Sequence, residues 1–181
     1  MLQKSAVRQL GPDYHRLLTA SPGDRLCVFL ATSRRIGTTV QNIEKDFWVC
    51  WSLDALFNGL RPGGPRLLFK GGTSLSKGHG LIERFSEDID VTVFRADIGT
   101  PASIEELEAL GTNRRRRRLD AIRTACQSFI DGTLRAQLEQ LAAALPVTDG
   151  RRLRITPDDT DPDGQSLLLF YPTVSDEHAY V

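Results

Sequence analysis

Residues 69–91 read FKGGTSLSKGHGLIERFSEDIDV, a stretch in which a glycine pair and an acid pair lie on either side of a short polar segment. The apolar run at residues 66–70 follows a segment rich in proline and glycine, so it predicts a buried strand that ends at the glycines. Thr73 or Ser74 can then cap a short helix. Residues 88–94 alternate polar and apolar side chains, which predicts a second strand.

The acid pair consists of Asp88 and Asp90, which would share one face of that second strand because alternate strand residues point to the same side. Two neighbouring carboxylates repel each other unless a proton or a cation lies between them. Mg²⁺ (or Mn²⁺) prefers such oxygen ligands and often completes its shell with phosphate oxygens. Asp88 and Asp90 are therefore the candidate catalytic and metal-binding residues. The alternative is a solvated polar strand face.

The glycine loop is the second candidate feature. Glycines after a strand allow the backbone to approach a ligand closely, and the start of a following helix offers N–H groups to phosphate. The loop matches neither the phosphate-binding P-loop nor the dinucleotide fingerprint, and a plain tight turn is the alternative. The candidate nucleotide-binding residues are the loop and the cations around it: Gly71, Gly72, Thr73, Ser74, Lys70, Lys77 and Arg84.

Together the two features describe one site, in which a loop holds triphosphate oxygens and a strand holds the metal ion that bridges them. Such a site suits in-line attack on phosphorus, where positioning and metal charge contribute most of the rate enhancement.

Residues 69–77 and 83–91 resemble the AbiEii/AbiGii-type toxin nucleotidyltransferases of the DNA polymerase β-like nucleotidyltransferase superfamily. Residues 43–49 are similar to the helix that precedes the glycine loop in that family. The resemblance implies an α+β fold, with a nucleotidyltransferase (polymerase β-like) core, a small mixed sheet and flanking helices.

The same resemblance implies a Mg²⁺-dependent toxin that transfers a nucleotide from an NTP to an acceptor such as tRNA or another RNA. It also implies a cognate antitoxin as the partner, in a toxin–antitoxin system of the phage-defence type. At the matching positions, Gly72 and Ser74 would hold the triphosphate, and Asp88 and Asp90 would bind the metal.

The resemblance is incomplete towards the C-terminus, because the superfamily normally uses a third carboxylate on a later strand. Neither later predicted strand, at residues 151–155 and 166–171, contains an acid, and Asp176 and Glu177 lie in a predicted turn. We therefore expect a C-terminally incomplete domain. One alternative function is a catalytically incomplete domain that binds nucleotide or antitoxin without turnover. Another is an antibiotic-modifying nucleotidyltransferase.

The length of 181 residues suits a single nucleotidyltransferase domain. Its expected parts are N-terminal helices at 1–60, the catalytic loop and strand at 66–96, a helical region at 104–145 and terminal strands at 151–181.

Composition narrows the class of protein. The formal net charge is +0, so nucleic-acid binding needs a local basic patch, and 40% hydrophobic residues are ordinary for a globular protein. No membrane span or signal peptide is evident, which makes the cytoplasm the expected location. The three cysteines predict reduced, mostly buried thiols. Trp48 and Trp51 are expected in the core.

Residues 114–118 are five consecutive arginines at the predicted start of a helix. One interpretation is a patch that binds the phosphate backbone of tRNA or another RNA. The other is a solvated helix start whose charges point in several directions.

Overall fold

The computed structural model describes residues 11–74, 88–147 and 152–175 of the chain. These residues contain seven α-helices and two antiparallel strand pairs. The helices are α1 Pro12–Thr19, α2 Pro22–Ile36, α3 Val40–Asp54, α4 Gly71–Thr73, α5 Ile104–Glu108, α6 Thr112–Ser128 and α7 Arg135–Ala143. The strands are β1 Leu67–Lys70, β2 Asp90–Val93, β3 Arg154–Pro157 and β4 Leu167–Phe170.

The N-terminal helices begin at side-chain caps. The hydroxyl of Ser21 accepts a hydrogen bond from the N–H of Asp24, and that of Thr39 accepts one from the N–H of Asn42. Each cap satisfies an N–H group that the first helical turn leaves without a carbonyl partner. Gly37, with φ of +79°, ends α2 in the left-handed conformation that glycine adopts without strain.

Two helices widen into π-helical turns. α3 continues into π1 (Ala55–Gly59), and α6 continues through π2 (Phe129–Leu134) into α7. The predicted helical region at 104–145 therefore contains α5 followed by one long helical run. π-Helical turns often occur at functional positions.

The main core lies between α1, α3, π1, π2, α7 and the β3–β4 pair. Trp48 and Trp51 are completely buried there, which confirms their predicted place. The Trp48 ring stacks on Tyr171, with centroids 5.3 Å apart, and so joins α3 to the segment after β4. The buried members are Leu18, Trp48, Trp51, Ala55, Ile130, Leu134, Leu138, Leu141, Ala142, Leu153, Ile155, Leu169 and Tyr171.

The strands agree with the α+β class, but the prediction of one small mixed sheet is wrong for the described residues. β1 pairs with β2, and β3 pairs separately with β4, both antiparallel. β3 and β4 are neighbours in the chain, and a short connection favours an antiparallel pair. Only the β3–β4 pair contributes to the main core; the β1–β2 hairpin lies outside it.

The three cysteines are free thiols, as predicted. Cys27 is exposed, whereas Cys50 and Cys126 are partly buried, so the prediction of burial is wrong for Cys27 because it lies on the solvent side of α2. No helix of the described residues is long and apolar enough to cross a bilayer.

Candidate functional site

The strand register brings Lys70 and Asp90 together. The two residues are direct partners in the antiparallel β1–β2 pair, so their side chains lie on the same face, with Cβ atoms about 5 Å apart. Both residues are exposed. Phe69 and Val91 occupy the opposite, partly buried face. One surface of the hairpin therefore presents a predicted nucleotide-binding cation beside a predicted metal ligand.

Gly71 packs directly against the carboxylate of Asp90. A Cβ atom added to Gly71 would lie 2.0 Å from Oδ2 of Asp90 and 2.8 Å from its Cγ. The φ of Gly71 is +74°, a conformation that other residues adopt only with strain. Both the space and the backbone conformation therefore require glycine, and the loop backbone lies directly against the acid.

Thr73 provides a second connection between the loop and the acid pair. Its side chain is buried, and its hydroxyl donates a hydrogen bond to the backbone carbonyl of Asp88. The prediction that Thr73 or Ser74 caps the helix is wrong, because α4 begins at Gly71 with Lys70 at its N-cap position and has no side-chain cap. The Thr73 hydroxyl instead satisfies a carbonyl that is distant in the chain.

Asp88 lies before the strand rather than within it. β2 begins at Asp90, so the prediction that both acids share one strand face is wrong for Asp88. The ladder ends there because the left-handed turn at Gly71 takes the chain away after Lys70. Residues before Asp90 then have no partner on β1, and the Thr73 hydrogen bond positions Asp88 instead.

The two carboxylates are available to a cation. Asp88 and Asp90 are exposed, and neither side chain forms an ion pair or a hydrogen bond with another described residue. Hard divalent cations prefer such oxygen donors, and Mg²⁺ typically takes one or two carboxylates together with phosphate and water oxygens. The donor set therefore fits Mg²⁺ or Mn²⁺.

The other predicted nucleotide-binding residues differ in their surroundings. Among the residues that the structure describes, none would lie within 4 Å of a Cβ atom at Gly72, so they leave its backbone open to a ligand. Ser74 is 9% exposed. Lys77 and Arg84 lie outside the described residues.

The far end of the hairpin is closed by an ion pair. Nε of Arg66 lies 2.7 Å from Oδ2 of Asp97, and its Nη2 lies 3.2 Å from Oδ1. These hydrogen bonds hold the pKa of Asp97 below its usual range. Since Arg66 precedes β1 and Asp97 follows β2, the pair helps to hold the register that places Lys70 opposite Asp90.

A cleft of about 610 Å³ lies between π1 and the turn before β1, with Phe57, Arg61 and Phe129 among its lining residues. Leu67 also lines it, and Leu67 lies on the β1 face opposite Lys70. The cleft is therefore separate from the acid pair.

The sequence did not reveal the role of Glu44 on α3, which is 1% exposed. Its carboxylate accepts hydrogen bonds from the Thr173 hydroxyl at 2.7 Å, the Val174 N–H at 2.7 Å and the Ser175 N–H at 3.0 Å. The Ser175 hydroxyl donates a further hydrogen bond. An acid among the apolar positions of residues 43–49 was the available signal, but its partners lie far along the chain.

Comparison with known protein families identifies a matching family. A family model described as "Nucleotidyl transferase AbiEii toxin, Type IV TA system" matches residues 54–178, which is more than half of the chain. The match covers the described part of the glycine loop, both acids and the segment bound by Glu44, and it confirms the family that residues 69–77 and 83–91 resemble. Residues 43–49 lie outside the matched range. No curated protein and no solved structure matches the chain.

Proposed function

The chain belongs to the AbiEii family of nucleotidyl transferase toxins of type IV toxin–antitoxin systems, and on that premise we propose that it transfers a nucleotide from an NTP to an RNA acceptor with the aid of Mg²⁺. The observation that supports this most directly is the contact between Gly71 and Asp90. It unites the two sequence features, which are separated by 19 positions (90 − 71), in one surface site.

Asp88 and Asp90 would hold the Mg²⁺ ion. When bound, the ion would neutralise charge on the phosphate oxygens and help to orient them for in-line attack. The protein contributes the position of the ligands, because Gly71 confines the Asp90 carboxylate and Thr73 restrains the backbone at Asp88. A displacement of about 1 Å in such a site can lower a rate by roughly 100-fold.

The nucleotide would lie along the exposed hairpin face. Lys70 is the cation opposite Asp90 on that face and would bind a phosphate oxygen beside the Asp90 carboxylate. The open space at Gly72 lets a phosphate approach the backbone closely. We also propose Ser74, Lys77 and Arg84 as nucleotide-binding residues, and this part of the proposal rests on the sequence alone.

The proposed acceptor is RNA, tRNA included, and the proposed partner is a cognate antitoxin, as the type IV toxin–antitoxin description suggests. An antitoxin would protect the host cell from the transfer activity, and a defence role against phage is part of the same proposal.

Incubation of the purified chain with labelled NTPs, Mg²⁺ and total RNA tests the reaction. We expect label in the RNA, and its loss in Asp90→Asn. Asp159→Asn removes an equal charge from an exposed acid of the 158–166 loop and serves as the matched control. The proposal fails if no NTP labels RNA, or if Asp90→Asn transfers nucleotide as well as the control does.

A second candidate function is binding of nucleotide or antitoxin without turnover. It is favoured by one observation: neither β3 nor β4, the later strands of the described residues, contains an acid that could act as a third carboxylate. Titration calorimetry that detects NTP binding, together with no transfer to RNA, would support this candidate. Transfer to a small antibiotic but not to RNA would indicate the antibiotic-modifying alternative.

A further inference from the structure

The arginine run on α6 is divided by the structure into two sets. Arg115 donates hydrogen bonds from Nε to the Leu107 carbonyl at 2.9 Å and from Nη2 to the Glu108 carbonyl at 2.7 Å. Arg118 donates to the carbonyl of Pro101. These two arginines bind carbonyls at and beyond the ends of α5, so they hold α6 against α5 and stabilise the fold.

The other three, Arg114, Arg116 and Arg117, are exposed and form no ion pair or hydrogen bond within the described part of the chain. The first turn of α6 contains no acid, and Gly111 at the N-cap provides no side-chain cap. Cations at a helix N-terminus are unfavourable because they lie at the positive end of the helix dipole. Fold stability therefore does not account for these three arginines.

Helix geometry places the three arginines on one side. At 3.6 residues per turn, Arg114, Arg116 and Arg117 lie within about 160° of the helix circumference, whereas Arg115 and Arg118 lie on the side turned to α5. Asp120 follows on the outward side, but its carboxylate is bound by Arg123. The outward surface therefore keeps its positive charge in a chain whose formal net charge is +0.

The helix that carries this surface lies near the strand that begins with Asp90. α6 packs against the 3₁₀ turn Arg95–Ile98, which directly follows β2. Asp90 begins β2, so five residues at about 3.3 Å each, roughly 16 Å, separate the acid from the start of that turn. A polynucleotide that extends from Asp90 to α6 would place several phosphates along this path.

We propose that Arg114, Arg116 and Arg117 form a docking surface for the phosphate backbone of RNA. The planar guanidinium group matches phosphate oxygens in a bidentate arrangement, and several such contacts on one surface are typical of nucleic-acid binding. The identity of the polymer as acceptor RNA rests on the proposed function, whereas the binding itself does not depend on catalysis.

Fluorescence anisotropy with a labelled RNA hairpin tests the surface, in Asp90→Asn protein without NTP. The variant Arg114→Gln/Arg116→Gln/Arg117→Gln should bind roughly 10- to 100-fold more weakly at physiological salt. The slope of log affinity against log salt should become shallower by about three, or about one for each arginine. The control Arg34→Gln/Arg35→Gln/Arg152→Gln removes the same charge from exposed arginines elsewhere and should leave both quantities near the parent values.

Three results would overturn the docking surface: unchanged affinity and slope in the α6 variant, an equal loss in the control, or displacement of the RNA by polyglutamate at equivalent charge, which would indicate an acidic protein partner. Circular dichroism and thermal unfolding confirm that the α6 variant is folded. Transfer is assayed separately in protein with intact Asp90, so that loss of RNA binding and failure of the reaction are distinguishable.

Discussion

Glu44 on α3 accepts hydrogen bonds from both the backbone N–H and the hydroxyl of Ser175, which lies 131 residues later in the chain. The same carboxylate also binds Thr173 and Val174, so a single buried side chain attaches the segment after β4 to α3. Trp48 reinforces this attachment one helical turn later, where it stacks on Tyr171. The N-terminal helices and the last described segment are therefore held together by polar and aromatic contacts side by side.

Glu44→Ala should lower the free energy of unfolding by about 3 kcal/mol or more, since several buried donors lose a charged acceptor. The free energy of unfolding of Glu44→Gln should lie between those of the wild type and Glu44→Ala, because the amide keeps one acceptor oxygen. Urea unfolding measures both variants, with Glu108→Ala, an exposed acid, as the control. A change within about 0.5 kcal/mol for Glu44→Ala, typical of a surface site, would contradict the structural role.

Gly71→Ala and Gly72→Ala form a matched pair at the candidate site. Gly71→Ala should destabilise the protein by about 1–3 kcal/mol through backbone strain, and should lower nucleotide transfer by roughly 100-fold by displacing Asp90. Gly72→Ala has open space, so its stability should change little. Thermal unfolding and transfer kinetics test the pair, and equal stability of the two variants would show that the Gly71–Asp90 contact is not required.

Arg115→Gln should destabilise the protein by about 1–3 kcal/mol, because it removes charge-assisted hydrogen bonds to the carbonyls at the end of α5. Arg117→Gln on the outward side should be neutral or slightly stabilising, since it removes a cation from the positive end of the helix dipole. Denaturant unfolding of the two variants makes the comparison. If both substitutions have the same effect, the division of the arginine run is wrong.

Alkaline pH should destabilise the protein through Tyr14. Burial first, and then the nearby Cys50 and Asp54, raise the pKa of Tyr14 to about 12 from 10.0. Folding favours the neutral phenol, so this contribution to stability is fully present below pH 10 and is lost as the pH rises through about 12. Tyr14→Phe should reduce the fall in stability between pH 10 and 12, measured by urea unfolding against wild type; an unchanged fall would exclude Tyr14 as its source.

Local sequence patterns were sufficient to locate β1, β2 and the helical runs to within a few residues. An apolar run that ends in glycines, and a period-two alternation of polar and apolar residues, depend on the backbone and on neighbouring side chains alone. The same local information identified the glycine loop and the acid pair, and through them the family. Their catalytic and binding roles stay predictions.

Contacts between distant parts of the chain determined the features that local sequence patterns did not predict. The separation of the strands into two antiparallel pairs, the acceptor role of Glu44 and the division of the arginine run all depend on which segments meet in space. A carboxylate or a guanidinium group has the same local sequence signal whether it is solvated or buried against a partner. The role of such a group is determined by the donors and acceptors that the folded chain brings within hydrogen-bonding distance. The requirement for glycine at position 71 is likewise determined by the fold, because the Asp90 carboxylate occupies the space that a side chain would need.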